Sequence, residues 1–182
     1  MAFPTAHVLT SHLEPLAASH GLDIEHVKAV PAGKKSQVVI RLDGDKRPTS
    51  DVLEVLTQEI SELFDTLEAR GELNFGAGYT LEVSTPGVDL PLELPRHFRR
   101  NRGRLIKKGD HVARLGAVAE DEESVILVTE TKRGVEIREA RLEDLRGAVV
   151  EIEFAKPSDK QVEATSLPYN QAAEQALRED EK

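Results

Sequence analysis

Hydrophobic positions in the first half of the chain alternate between helical and strand spacing. Val8, Leu9, Leu13 and Leu16 recur at helical intervals within residues 5–20, and Gly21 is placed to stop that helix. Pro15 lies inside the span and is expected to kink it or to mark where a new turn begins. Residues 22–30 read as a strand whose alternation slips after Ile24, residues 31–36 as a turn, and residues 37–42 as a β-branched strand ended by Asp43, Gly44 and Asp45. Thr49 or Ser50 can cap the next helix, where Leu53, Leu56, Ile60, Leu63 and Leu67 step by three or four and Phe64 widens the stripe. A stripe that regular faces a core. Residues 71–78 read as a loop, and Tyr79, Leu81 and Val83 alternate as a half-buried strand. The order is α-β-β-α-β, helices layered on a small sheet.

Beyond Ser84 the spacing changes. Pro86 and Gly87 halt the strand, since proline cannot donate to a ladder, and Pro91 and Pro95 stiffen the segment leading to Arg96. Five short strands are then expected, near residues 104–107, 111–119, 124–131, 135–140 and 147–154, with no helix between them. Strands at hairpin spacing predict a small barrel. From Pro157 the chain is polar, and residues 171–177 have helical propensity but no evident face to bury, so residues 157–182 are expected to be largely disordered. The expected fold class is α+β. Residues 1–94 form a two-layer α/β domain, residues 95–156 a small β-barrel with a basic linker at its start, and residues 157–182 a charged tail.

Composition adds limits. At 4% aromatic residues and no Trp, the cores of these 182 residues are expected to be mostly aliphatic, and the absence of Cys excludes disulfides and thiolate metal sites. The N-terminus lacks a basic region followed by an apolar run, and no window is long and apolar enough to span a membrane, so a soluble cytoplasmic protein is expected. Net charge is −9, unevenly spread: residues 1–94 hold 15 acids against 7 Lys/Arg, and residues 95–156 hold 12 against 14. Within the latter, Arg96 to Lys108 carries seven cations and no acid. Arg96, Arg99, Arg100, Arg102, Arg104, Lys107 and Lys108 are therefore the candidates for phosphate contact, five of them arginines able to grip phosphate through paired hydrogen bonds. Phe98, in their midst, could stack on a base or pack into a domain interface, and packing is the expectation.

Catalytic patterns are weak. The run Gly33-Lys34-Lys35-Ser36 echoes a phosphate loop but lacks the earlier glycine and joins two strands instead of opening a helix. None of the six histidines forms the paired spacing of a zinc hydrolase. Ser84 and Asp89 lack a nucleophile elbow around them and suit turn and capping roles. No enzyme, metal or cofactor is expected.

The stretch Tyr79-Thr-Leu-Glu-Val-Ser-Thr-Pro-Gly-Val-Asp-Leu-Pro-Leu92, with His97-Phe98-Arg99-Arg100 and Gly103-Arg104 after it, resembles the signature of the ribosome maturation factor RimP family. The likeness extends to the opening helix–Gly–strand, the helix from Asp51 to Asp65, and the closing residues 135–154. It implies an α/β domain of KH-like topology followed by an SH3- or Sm-like barrel. It also implies a non-catalytic factor that binds the free small ribosomal subunit and contacts one of its proteins to promote assembly; contact with ribosomal RNA through the basic run and a monomeric state are expected besides. The bend residues Ser84, Pro86, Gly87 and Asp89 are then structural. Leu90 stands where the family typically has Arg, and Thr85 where it has Ser, which moves the expected RNA contact to the run from Arg96 to Lys108. No G-x-x-G loop is present, so KH-style clamping of RNA is not implied. The alternative is an Sm-like protein acting on free RNA, which predicts a ring oligomer.

Overall fold

In the computed structural model, which describes residues 1–180, the chain divides at Pro86 into a first unit, Met1–Pro86, and a second from Gly87 onward. In the first unit α1 (Ala6–Ser19) begins where the Thr5 hydroxyl accepts the Val8 N–H at 3.3 Å. It contains Pro15 without being divided, buries Leu9, Leu13 and Ala17, and is followed by Gly21 at φ +70°. β1 (Asp23–Val30) pairs antiparallel with β2 (Gln37–Asp43), and β2 pairs parallel with β3 (Thr80–Ser84), giving the order β1-β2-β3. The β1–β2 register shifts between Ile24 and His26, where the sequence alternation slips. A parallel pair requires a crossover, supplied by α2 (Ser50–Ala69). Thr49 caps it through the Val52 N–H, and Leu56, Ile60, Phe64 and Leu67 are its buried face.

The core of this unit is mostly aliphatic, as composition suggested, and its few aromatic residues meet at one place. The segment 71–78, expected as a plain loop, buries Leu73 and Phe75. The Phe75 ring centroid lies 4.3 Å from that of Tyr79, 5.2 Å from Phe64 and 5.7 Å from Phe3. Few aromatic residues thus gather in one place, where edge and tilted contacts add to burial. Burial first, then the charges of Asp65 and Glu68, push the Tyr79 phenol up to about 12.

In the second unit α3 (Pro95–Arg100) precedes β4 (Leu105–Lys108), β5 (His111–Val118), β6 (Ser124–Thr131) and β7 (Gly134–Arg141). A single turn, α4 (Leu142–Leu145), leads to a two-residue β8 (Val149–Val150). The antiparallel order is β7-β6-β5-β4-β8. Among the described residues β7 and β8 do not pair, so the sheet is open where a closed barrel was expected. At Gly116, where β5 bulges, an added Cβ would stand 2.8 Å from Ile126 Cγ2, so the two strands approach too closely for any side chain there.

The basic run forms α3, a turn and β4 inside the second unit, and the division into units falls at Pro86. The tail is folded as far as it is described, into α5 (Asp159–Ser166) and α6 (Tyr169–Asp180); Glu181 and Lys182, also assigned to disorder, lie outside the described residues. The cause is β6, which is apolar on both faces. Val125 and Leu127 join Phe98, Ile106 and Leu115 in one core. Ile126 and Val128 point the other way, with Ile137, and Ala164, Ala172 and Ala176 of the tail close over them. The Tyr169 hydroxyl, donating to Glu139 at 2.8 Å, ties α6 to β7.

Replacing Phe75 by Ala removes the centre of the aromatic group. Chemical denaturation should show the first unit destabilised by about 3–5 kcal/mol. A loss below about 1 kcal/mol would mean that the segment 71–78 is no part of the core.

Candidate nucleic-acid interface

The seven candidate cations are placed by three short pieces of chain. Leu92 anchors the entry, donating its N–H to Ala148 at 2.7 Å while its carbonyl accepts the Gly147 N–H at 2.8 Å. α3 comes next, with Pro95 at a position where no N–H is required. His97 Nδ1 accepts the backbone N–H groups of Glu93 and Leu94 at 3.0 and 3.1 Å. Phe98, expected to pack into a domain interface, is instead fully buried in the second unit's own core, which fixes the sides of the helix on which its arginines stand. Asn101 Nδ2 then donates to the His97 carbonyl at 2.7 Å, and Gly103, at φ +89°, turns the chain so that its N–H reaches Leu115 O at 2.8 Å. The Leu115 N–H returns the bond to Arg104 O at 2.9 Å.

The seven do not share one role. Arg102 is committed to the fold: its Nε donates to Thr165 O at 2.7 Å and its Nη2 to Leu167 O at 2.9 Å, holding the end of α5. Lys108 Nζ donates to Asp144 O at 2.6 Å. Arg99 stands 3.5 Å from Glu122, and Lys107 3.9 Å from Glu151, both on the surface, where such pairs contribute about 0–1 kcal/mol and yield readily to a competing anion. Arg96 and Arg100 are half-buried and engaged within the protein. Arg104 is exposed, and its side chain has no hydrogen bond or ion pair among the described residues.

The residue that spacing along the chain did not single out is Arg114. It sits in the middle of an otherwise apolar strand, and its side chain is 5% exposed. Its Nε donates to Gln161 Oε1 at 2.8 Å, and its Nη1 donates to Gly103 O and to Glu153 Oε2, both at 2.9 Å. Nη2 pairs with the second oxygen of Glu153 in a short contact. Gln161 in turn donates to Glu130 at 2.7 Å. A charge inside a strand's apolar run signals a buried partner, but Glu153 and Gln161 lie too far along the chain for spacing to identify them.

The other candidates are dispersed. Ser84 and Pro86 close the first unit, while Gly87 and Asp89 open the second. In the Gly33–Ser36 turn, Ser36 is buried and its hydroxyl serves the turn itself, accepting the Ala32 N–H at 2.9 Å and donating to Gly33 O at 3.1 Å.

The Arg114 guanidinium, through its hydrogen bond first and its charge as well, holds the Glu153 carboxyl below its ordinary value. The folded state therefore binds this proton less readily than the unfolded one, and the stabilisation is present above the ordinary carboxylate range and lost as pH falls through the lowered value. Stability of the second unit should decline on acidification below about pH 4.5, and Glu153→Gln should flatten that decline in denaturation curves taken across the same range. An unchanged acid slope in the variant would remove Glu153 from the account.

Comparison with known proteins bears on the whole chain. The model of the RimP N-terminal domain matches residues 12–89. A protein of Corynebacterium aurimucosum named ribosome maturation factor RimP is 57% identical over 99% of this chain and all of its own length. The equally named proteins of Corynebacterium diphtheriae and Corynebacterium kroppenstedtii are 48% and 42% identical, each over 94% of this chain and over 96% and 99% of their own.

Proposed function

The chain belongs to the ribosome maturation factor RimP family, and from that premise we propose that it acts in ribosome maturation without catalysis, by binding the free small ribosomal subunit. The contact is made to ribosomal RNA through the outward cations of the second unit, and to a small-subunit protein beside it. The observation that carries this reading is the division of labour within the basic run. Arg104 has no side-chain hydrogen bond or ion pair among the described residues, and Arg99 and Lys107 are exposed, so these cations can be reached by phosphate. Arg96 and Arg100 support them, and Arg102 and Lys108 build the turn that presents them.

The α-β-β-α-β order supports reading the first unit as KH-like. Five antiparallel strands with a short last strand returning to β4 support an SH3- or Sm-like second unit that is not closed. Action as a monomer in the cytoplasm completes the proposal; among the described residues no helix is long and apolar enough to cross a membrane.

Changing Arg99, Arg104 and Lys107 together to Glu should abolish co-sedimentation with free small subunits and leave thermal unfolding nearly unchanged, because all three residues are exposed. Binding by the unaltered protein should weaken steeply between about 50 and 200 mM salt, as released counterions require. Undiminished co-sedimentation of the triple variant would overturn the assignment. Arg102 is left out because its loss would loosen α5.

A further inference from the structure

Phe98 is buried, yet the same unit carries an aromatic ring that nothing covers. Phe154 is 99% exposed, and Ile152, two residues earlier, is 64% exposed. Their place is fixed by three bonds. The Glu151 N–H donates to Leu105 O at 2.9 Å, carrying the β8–β4 pairing one step further. Arg114 Nη1 then joins Gly103 O and Glu153 Oε2 at 2.9 Å each, so Glu153 lies beside Gly103. Phe154 therefore emerges next to the turn that carries Arg102 and Arg104.

Charge at this place favours an anion. Glu153 is matched by Arg114, and Glu151 by Lys107. Arg104 and Lys156 are exposed, and their side chains have no hydrogen bond or ion pair among the described residues. A lone ring open on both faces, bordered by two uncommitted cations, matches what an unpaired nucleotide presents: a π-face with phosphate on either side. A docked protein would ask instead for a broader apolar patch with a polar rim.

We propose that Phe154 is a stacking platform for an unpaired base of single-stranded RNA, with Arg104 and Lys156 holding the flanking phosphates. This rests on the ribosomal reading and specifies which kind of RNA the second unit takes. Stacking on a bare ring is sequence-tolerant, and a duplex, whose bases are already stacked, is a poor ligand.

The test uses the full chain and a fluorescein-labelled single-stranded RNA decamer. Phe154→Ala should raise the dissociation constant about fivefold to a hundredfold, the range of base–aromatic stacking, and leave the unfolding temperature unchanged because the ring is exposed. Phe154→Trp should keep the affinity; the sequence has no other Trp, so its indole emission should quench as unlabelled decamer is added. Phe154→Leu should behave as Phe154→Ala does. Wild-type affinity in the Ala variant, full affinity in the Leu variant, or equal affinity for a duplex of the same length would each overturn the proposal. So would loss of small-subunit binding by Phe154→Ala with decamer binding intact, which would assign the ring to a protein contact. Failure of the ribosomal reading looks different: the unaltered protein would not co-sediment with free small subunits.

Discussion

One buried cation holds the second unit together. A guanidinium removed from water is tolerable only when its donors are met, and Arg114 meets them with groups from three separate places: the Gly103 carbonyl, the Glu153 carboxylate and the Gln161 amide. These belong to the basic turn, to the chain leaving β8, and to α5. Through one side chain, the presentation of Arg104, the path of the chain toward Phe154, and the seating of the tail become a single event. Arg102 repeats the device on a smaller scale by binding the carbonyls of Thr165 and Leu167.

The same economy explains why a count of cations misjudges an interface. Seven Lys/Arg in thirteen residues look like one electrostatic face. The fold takes Arg102 and Lys108 for hydrogen bonds to backbone carbonyls and turns Phe98 inward, which leaves a smaller and more directed set of charges. Arginine suits both tasks, because its planar fork satisfies carbonyls as readily as it grips phosphate. At a net charge of −9 the proposed RNA contact depends on such local arrangement, since the overall field repels a polyanion.

The tail shows how a helix can dock with almost no hydrophobic signal of its own. Ala164, Ala172 and Ala176 each bury little area, and Gln161 and Thr165 are polar, yet all five are buried. What recruits them is the second apolar face of β6, with Ile126 and Val128 opposite Val125 and Leu127. A strand that is apolar on consecutive positions requires cover on both sides. That run was legible; the identity of its cover was not.

Local spacing alone yielded the order of elements in the first unit, the α2 stripe, the break in β1 after Ile24, and the strands β4 to β7, because each rests on neighbours within a few residues. The motif from Tyr79 to Leu92, by its resemblance, gave the family kinship. The pairing of Arg114 with Glu153, the gathering of Phe3, Phe64, Phe75 and Tyr79, and the separation of structural from outward cations were out of its reach. Each of these joins residues distant along the chain, and such contacts acquire meaning only once the backbone has folded and water has been driven from between them.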